Sequence, residues 1–157
     1  MEENVGRIPA DGLRLAIVVA KWNSFVTDGL LDGAMKALRE AGGDESAIEI
    51  FRVPGAFEIP LVCQHAATSG SYDGVIALGA VIRGETPHFE YVCRAVTDGV
   101  SQAALGSGVP VTFGVLTTDT AEHAIARSRD DANNKGGEAA MAALEMIHLL
   151  KNIPRQG

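Results

Sequence analysis

The sequence predicts an α/β fold with three layers, in which a four-stranded parallel sheet lies between two layers of helices. Two observations lead to this prediction. Short apolar runs rich in β-branched residues alternate with segments whose apolar residues recur every three or four positions. The 157-residue chain is 46% hydrophobic and 21% charged, which suits one sizeable core. Regular strand–helix alternation favours a parallel sheet covered on both faces.

Four strands are predicted from apolar runs bounded by turn residues. The first is apolar at nearly every position, as expected for a strand buried on both faces. A Pro-Gly pair turns the chain after the second strand. The predicted strands are Leu13–Ala20, Ile48–Val53, Gly74–Ile82 and Pro110–Leu116.

A helix is predicted after each strand, and two follow the last strand. Apolar residues fall on one face of the first helix, and Gly42-Gly43 ends it. The polar stretch Ser128–Gly137 is predicted to be a linker. We expect an N-terminal arm over residues 1–12 and one flavodoxin-like domain over 13–157. The predicted helices are Ser24–Ala41, Phe57–Ala67, Phe89–Ala103, a short segment ending near Arg127, and about Glu138 to Leu150.

Charge and cysteine content narrow the function classes. The formal net charge is −7, so no broad basic face can neutralise a nucleic-acid backbone, although local Arg and Lys residues can hold a small anion. Cys63 and Cys93 form no CxxC pair, which indicates two buried, reduced thiols. The N-terminus lacks a signal-peptide pattern, and no stretch is long enough to span a membrane. We therefore expect a cytoplasmic protein without nucleic-acid or membrane partners.

Ligands of parallel α/β sheets bind beyond the carboxyl ends of the strands. Trp22, the single tryptophan, follows the first strand, where its ring could stack on a planar heterocycle or cap the core. Glu58 follows the second strand at a helix start. It could accept hydrogen bonds from sugar hydroxyls or be an ordinary acid of a first helical turn.

The segment after the third strand is the most informative. Gly84 permits a backbone turn, and Pro87 suits a helix start. The amides of Glu85 and Thr86 would point outward near a helix N-terminus, which is an anion site. His88 follows. Its imidazole could transfer protons, or His88 could be an ordinary helix residue. The other three histidines lie in helical patterns and are expected at the surface or in packing contacts.

Two basic residues, Arg127 and Lys135, flank the linker after the fourth strand. They could converge on an anion or remain solvated surface charges.

Three runs, in this order and spacing, resemble lumazine synthase. They are Pro54–Pro60 (PGAFEIP), Gly79–His88 (GAVIRGETPH) and Asn134–Gly137 (NKGG). The resemblance covers about Leu13 to Leu150, and the second run is highly specific when it occurs with the first.

Members of that family join 5-amino-6-(D-ribitylamino)uracil to 3,4-dihydroxy-2-butanone 4-phosphate. The product is 6,7-dimethyl-8-ribityllumazine, the direct precursor of riboflavin, and phosphate and water are released. The resemblance therefore implies a transferase of riboflavin biosynthesis that uses no metal and no redox cofactor. The chain has no dinucleotide-type GxGxxG motif, which agrees with that implication.

The resemblance also implies a role for each matching residue. His88 matches the proton-transfer residue. Trp22 stands where the family commonly has a stacking Phe, and Ala80 stands where it often has Thr. The implied pyrimidine and ribityl contacts are Trp22, Ala56, Phe57, Glu58, Ala80, Val81, Ile82 and Phe113. The implied phosphate contacts are Glu85, Thr86, Arg127 and Lys135.

The family's sites lie between adjacent subunits of a pentamer, with Phe113, Arg127 and Lys135 from one subunit and the rest from its neighbour. Some members assemble twelve pentamers into a shell. Here Ser128–Asn134 lacks the glycine of many shell-forming members and carries two consecutive aspartates, which favours a free pentamer. A functional link to riboflavin synthase is also implied.

Three other classes of protein remain open. A non-catalytic lumazine- or flavin-binding protein would not need His88 and Arg127 together. An FMN or nucleotide domain would carry a glycine in a phosphate loop after the first strand, which Lys21–Ser24 lacks. A structural shell protein would assemble without catalysing a reaction.

Overall fold

The computed structural model describes residues 1–155, so the last two residues of the predicted domain 13–157 lie outside the described residues. Four strands form one sheet in the order β2-β1-β3-β4, and all pairs are parallel. The predicted α/β fold is thus confirmed. The strands are β1 (Leu15–Ala20), β2 (Ile48–Val53), β3 (Gly74–Ile82) and β4 (Val111–Thr118). The helices are α1 (Ser24–Glu40), α2 (Ile59–Thr68), α3 (His88–Ser107), α4 (Ala121–Ala126) and α5 (Lys135–Lys151).

The register brings the carboxyl ends of the strands to one edge of the sheet. Ala20 at the end of β1 pairs with Val53 at the end of β2. Ile82 at the end of β3 pairs with Thr118 at the end of β4. The segments that leave these strands are therefore neighbours, as expected for a ligand site in a parallel α/β sheet.

The core has two layers, one on each face of the sheet. Side chains of β1 alternate between them: Ile17 lies in one layer and Val18 in the other, and both are fully buried. Helices α1 and α5 cover the first face, whereas α2 and α3 cover the second. Burial of each such aliphatic side chain contributes about 1.5–3 kcal/mol.

Several predicted boundaries are displaced by local hydrogen bonds. β1 begins at Leu15, because the N–H of Leu13 donates to the carbonyl of Ala10 (3.1 Å) in a turn. Residues Ala56–Glu58 form a separate turn of 3₁₀ helix, so α2 begins at Ile59 and not at Phe57.

The predicted linker Ser128–Gly137 is too long, since α5 begins at Lys135 and not near Glu138. Asn134 is the physical cause. Its side-chain oxygen accepts hydrogen bonds from the N–H groups of both glycines after Lys135, at 2.9 and 3.0 Å. Its Nδ2 donates to the carbonyl of Gly29 in α1 (3.0 Å). One buried amide therefore caps α5 and ties it to α1.

Glycines let α1 and α5 cross closely. A Cβ on Gly136 would overlap the backbone carbonyl of Leu30, and a Cβ on Gly33 would overlap the side chain of Asn134. The Asn134–Gly137 run is thus a packing motif in addition to its possible role in a site.

The N-terminal arm packs against α1 and α5. The N–H of Ala10 donates to the carbonyl of Ala41 (3.0 Å), and Nε2 of His148 lies 2.6 Å from the carbonyl of Pro9. His148 is half-buried, whereas His65 and His123 are exposed, so the expected surface and packing positions of these histidines are confirmed.

The cysteines match the sequence prediction only in part. Cys63 is buried, but Cys93 on α3 is half-buried, because it packs against the margin of its core layer and not within it. Both are free thiols. Across residues 1–155, none of the helices combines the length and the apolar character that crossing a membrane requires.

Candidate functional site

The first group of candidate residues lies at the carboxyl ends of the strands, and we call it the strand-end cluster. It contains Trp22, Ala56, Phe57, Glu58, Ala80, Val81, Ile82, Glu85, Thr86 and His88.

Trp22 follows β1 and is 65% exposed, so it does not cap the core. Its backbone N–H donates to the carbonyl of Pro54 (3.0 Å), and its indole ring packs against the backbone of Gly55. A Cβ at that glycine would overlap the ring, so only glycine allows this contact. The indole is therefore held at the edge of the sheet with most of its surface free to stack.

Asn23 is a site residue that the sequence predictions missed. It is the one non-glycine residue among 1–155 with a positive φ (64°). Its Nδ2 donates to the carbonyl of Ala80 (2.9 Å) and thereby joins the end of β1 to β3. Asn tolerates the left-handed conformation, so an Asn after a buried strand was the available signal.

Glu58 is half-buried at the start of α2, beside the exposed side chain of Phe57 (63%). Its Oε2 accepts a hydrogen bond from the N–H of Gly55 (3.0 Å), as in a capping box. This contact fixes the carboxylate and leaves its second oxygen available to a hydroxyl group.

The last residues of β3 can contribute only backbone groups to the candidate site. Ala80 and Val81 are buried and Ile82 is half-buried, so their side chains pack into the protein. The chain then leaves the sheet, and Glu85, Thr86 and the following residue are exposed.

The turn between β3 and α3 presents free amides. Within the described part of the chain, no hydrogen bond engages the N–H groups of Gly84, Glu85 or Thr86. His88 is the first residue of α3, so these amides precede a 20-residue helix whose dipole favours a negative charge there. The predicted anion turn and the exposed imidazole are therefore adjacent.

The second group lines a groove of about 420 Å³ beside β4, which we call the β4 groove. Phe113, Arg127 and Lys135 all line it, so the structure brings the two predicted basic residues together. The backbone N–H of Lys135 donates to the carbonyl of Arg127 (2.9 Å). Glu138, which the sequence predictions missed, pairs with Nζ of Lys135 (2.8 Å), and its i,i+3 helical spacing was the available signal.

The Arg127 side chain is also oriented. Its Nη1 donates to the carbonyl of His123 (2.9 Å), which lies one turn earlier in α4. The remaining guanidinium donors face the groove or solvent, and such a fork suits a phosphate.

Within one chain, the strand-end cluster lies apart from Phe113 in the β4 groove. Phe113 pairs with Ala77, five residues before Ile82 at the end of β3. At about 3.3 Å per residue, Phe113 lies about 16 Å from the strand ends where Trp22 is found. One strand, β3, further separates β4 from β1. None of the strand-end cluster lines the β4 groove.

A larger depression of about 680 Å³ lies between α1 and α5 and includes Ile8, Lys36 and Glu145. It contains no predicted site residue, and it is lined by α1, α5, the segment between α4 and α5, and the N-terminal arm. Its size therefore does not make it a better candidate than the β4 groove.

Comparison with known proteins agrees with this geometry. The family model for 6,7-dimethyl-8-ribityllumazine synthase matches residues 12–151. Similar proteins include the 6,7-dimethyl-8-ribityllumazine synthases of Desulfatibacillum aliphaticivorans and Syntrophus aciditrophicus (strain SB). Each is 52% identical over 148 residues, which cover 94% of this chain and 96% of the relative. The chain therefore belongs to the 6,7-dimethyl-8-ribityllumazine synthase family.

Proposed function

We propose that the chain forms 6,7-dimethyl-8-ribityllumazine at a site shared by two copies of itself. The strand-end cluster of one copy would face the β4 groove of the next. The observation that carries this proposal is the register of β4, which separates Phe113 from Trp22 within one chain. Residues 13–157 would act as one domain, with residues 1–12 as an arm.

In the proposed site, the pyrimidine lies between two aromatic rings. Trp22 is 65% exposed and Phe113 is 42% exposed, so each presents a face to a neighbouring molecule. Two aromatic faces bind a planar heterocycle by stacking. Backbone groups of residues 80–82 would select the ring edge, and Glu58 would accept hydrogen bonds from the ribityl hydroxyls.

The phosphate would bind where the two copies meet. The free amides of Glu85 and Thr86 supply donors from one copy, and Arg127 supplies a guanidinium from the other. Lys135 would add a second positive charge beside Arg127, although its ion pair with Glu138 moderates that charge. The Glu85 side chain is exposed and can turn away from the anion.

The chemistry consists of two condensations and one elimination. The 5-amino group attacks the ketone, and water leaves as the imine forms. A proton leaves C3, the C4–O bond breaks, and phosphate departs with the bonding electrons. The resulting enol becomes a ketone, the ribitylamino nitrogen attacks it, and a second loss of water closes the ring.

We infer that His88 carries the protons of these steps. Its imidazole is exposed at the start of α3, next to the amides that would hold the phosphate. Arg127 and those amides stabilise the negative charge that grows on the leaving phosphate. Holding both substrates together supplies much of the remaining acceleration.

Product formation tests the activity. The purified protein is mixed with both substrates, and the visible absorbance of the lumazine is followed after subtraction of the uncatalysed rate. We expect a rate well above background that falls for Arg127→Ala. A well-assembled protein that gives only the background rate would favour a binding or shell protein instead.

Mixing of two inactive variants tests whether the site is shared. A triple variant of the strand-end cluster (Glu58→Ala, His88→Ala, Trp22→Ala) and Arg127→Ala are dissociated, mixed in equal amounts and reassembled. A shared site restores wild-type pairs at about a quarter of the interfaces. Each variant reassembled alone is the control. Activity no higher than the average of the two controls would place both groups in one copy.

The cellular setting follows from the proposed reaction. The product is the direct precursor of riboflavin, so riboflavin synthase, which consumes it, is the proposed functional partner. Both cysteines are free thiols, which supports a reducing compartment, and we infer a cytoplasmic location.

A further inference from the structure

Arg83 joins three elements next to the proposed phosphate turn. Its backbone N–H donates to the carbonyl of Thr118 (2.9 Å) and extends the β3–β4 ladder by one residue. Its Nε donates to Oδ1 of Asp119 (2.8 Å), which follows β4. Its Nη1 lies 3.5 Å from Oε1 of Glu90, in the first turn of α3.

The guanidinium is also packed against a ring. Its Cζ lies 4.4 Å from the centroid of Phe89 in α3, which is within cation–π distance. The hydrogen bond with Arg83 lowers the pKa of Asp119, and the same bond raises the pKa of Arg83. Both groups therefore stay charged across the neutral pH range.

These contacts close the turn at both ends. Residues 84–87 leave the sheet at Arg83 and enter α3, whose first turn contains Phe89 and Glu90. Because the Arg83 side chain holds that first turn, it limits how far α3 can tilt away from β3. The free amides of Glu85 and Thr86 keep their direction for the same reason.

The contact with Asp119 also reaches α4. Asp119 precedes Thr120, whose hydroxyl caps α4 by accepting a hydrogen bond from the N–H of His123 (3.1 Å). Arg127 follows at the C-terminal end of α4. Arg83 therefore links the phosphate turn of one proposed site to α4, the helix that carries Arg127 of the neighbouring proposed site.

We propose that Arg83 is a positioning residue, which sets the phosphate turn by clamping the starts of α3 and α4 through Glu90 and Asp119. This inference rests on the proposed function. Its contacts are made within one chain, and they do not require Arg83 to touch the substrate.

Substitution of Asp119 distinguishes this role from direct binding of the phosphate by Arg83, because the two roles predict opposite changes in phosphate affinity. If Arg83 bound the phosphate itself, Asp119→Asn would release the guanidinium and remove a nearby negative charge, so phosphate would bind more tightly. If Arg83 acts as a clamp, Asp119→Asn loosens the turn, and phosphate binds more weakly.

The experiment uses the assembled full-length enzyme and the lumazine absorbance assay. Arg83→Ala, Asp119→Asn and the double variant are compared with wild type for the KM of each substrate, kcat, and the inhibition constant of inorganic phosphate. Arg39→Ala is the matched control, because Arg39 forms an exposed ion pair with Glu45 in another part of the chain. The melting temperature of every variant is measured.

We expect Arg83→Ala to raise the KM of the butanone phosphate and the phosphate inhibition constant about fivefold, as for loss of a few weak surface contacts. The KM of the uracil and kcat should change less, because phosphate binding is weakened in both ground and transition states. Asp119→Asn should act in the same direction, and the double variant should add little to Arg83→Ala.

Three kinetic results would overturn the inference: tighter phosphate binding by Asp119→Asn, fully additive effects, or an Arg83→Ala effect no larger than that of Arg39→Ala. A fall in melting temperature with unchanged KM values would also overturn it, since the contacts would then serve stability alone. Failure of the proposed function is distinct, because the wild-type enzyme would then show no rate above background.

Discussion

Two aromatic side chains, Trp22 and Phe113, show how single residues define the site. Each is exposed in the isolated chain although large apolar side chains usually avoid water. Trp22 is held by its contact with Gly55, and Phe113 lies on the edge strand β4. Their exposure is explained if each covers one face of a pyrimidine in the assembled protein.

Among the charged residues, Arg127 is expected to matter more than His88. In the proposed mechanism, Arg127 stabilises a charge that grows in the transition state, whereas proton transfer contributes only part of a rate that also depends on holding the two substrates together. We expect Arg127→Ala to lower the single-turnover rate about a hundredfold and His88→Ala to lower it by a smaller factor. If His88→Ala lowered the rate more than Arg127→Ala, His88 would be the residue that contributes more to catalysis.

Cys63 gives a pH-dependent prediction. Burial raises the pKa of its thiol to about 12 from an ordinary value of 9.0. The unfolded chain therefore loses this proton first, and the free energy of unfolding should fall as the pH rises from about 9 toward about 12. Urea unfolding at about pH 8 and about pH 10 measures the change. In Cys63→Ala the decline should be shallower, and an equal decline would show that other groups cause it.

At the scale of elements, the crossing of α1 and α5 depends on glycine. A Cβ on Gly136 would overlap the carbonyl of Leu30, which is backbone and cannot rotate away. The neighbouring Gly137 has room, because a Cβ there would lie 3.4 Å from the carbonyl of Gly33.

Substitution of these two neighbouring glycines tests the packing. We expect Gly136→Ala to destabilise the protein by about 1–3 kcal/mol through forced separation of the helices. Gly137→Ala is the matched control and should change the free energy of unfolding by less than about 0.5 kcal/mol. Thermal and urea unfolding report the free energy of unfolding of both variants. If both lost the same stability, the Asn134–Gly137 run would act through the Asn134 cap alone and not through close packing of the helices.

The whole molecule leaves several large apolar side chains in water, and they favour assembly. Leu61, Tyr91 and Leu105 on α2 and α3 are between 64% and 84% exposed, in addition to the aromatic residues of the proposed site. These side chains would be covered if neighbouring copies of the chain packed against α2 and α3. That packing would agree with the proposed site between two copies of the chain.

We expect a free pentamer in solution. Asp130 of the segment between α4 and α5 pairs with Lys36 of α1 (3.1 Å), so this segment is held against its own chain. Five chains of 16.4 kDa would give a mass of about 82 kDa by light scattering. A mass near twelve times that value would show a shell, and a monomeric enzyme with full activity would contradict the shared site.

Local sequence patterns were sufficient for much of this protein. The strands and helices could be predicted because apolar residues repeat with the periods of each element. The exposed turn before α3 could be predicted as well, since Gly84 and Pro87 give the backbone a conformation that depends on few neighbours. The family motifs supplied the remaining site residues.

Contacts between distant segments were decided only by the tertiary structure. Asn134 caps α5 because α1 lies beside it, and no local pattern places Gly29 at that point. The Arg83 contact with Asp119 requires the pairing of β3 with β4. The separation of Phe113 from Trp22 likewise comes from strand order and register, which depend on packing of the whole chain.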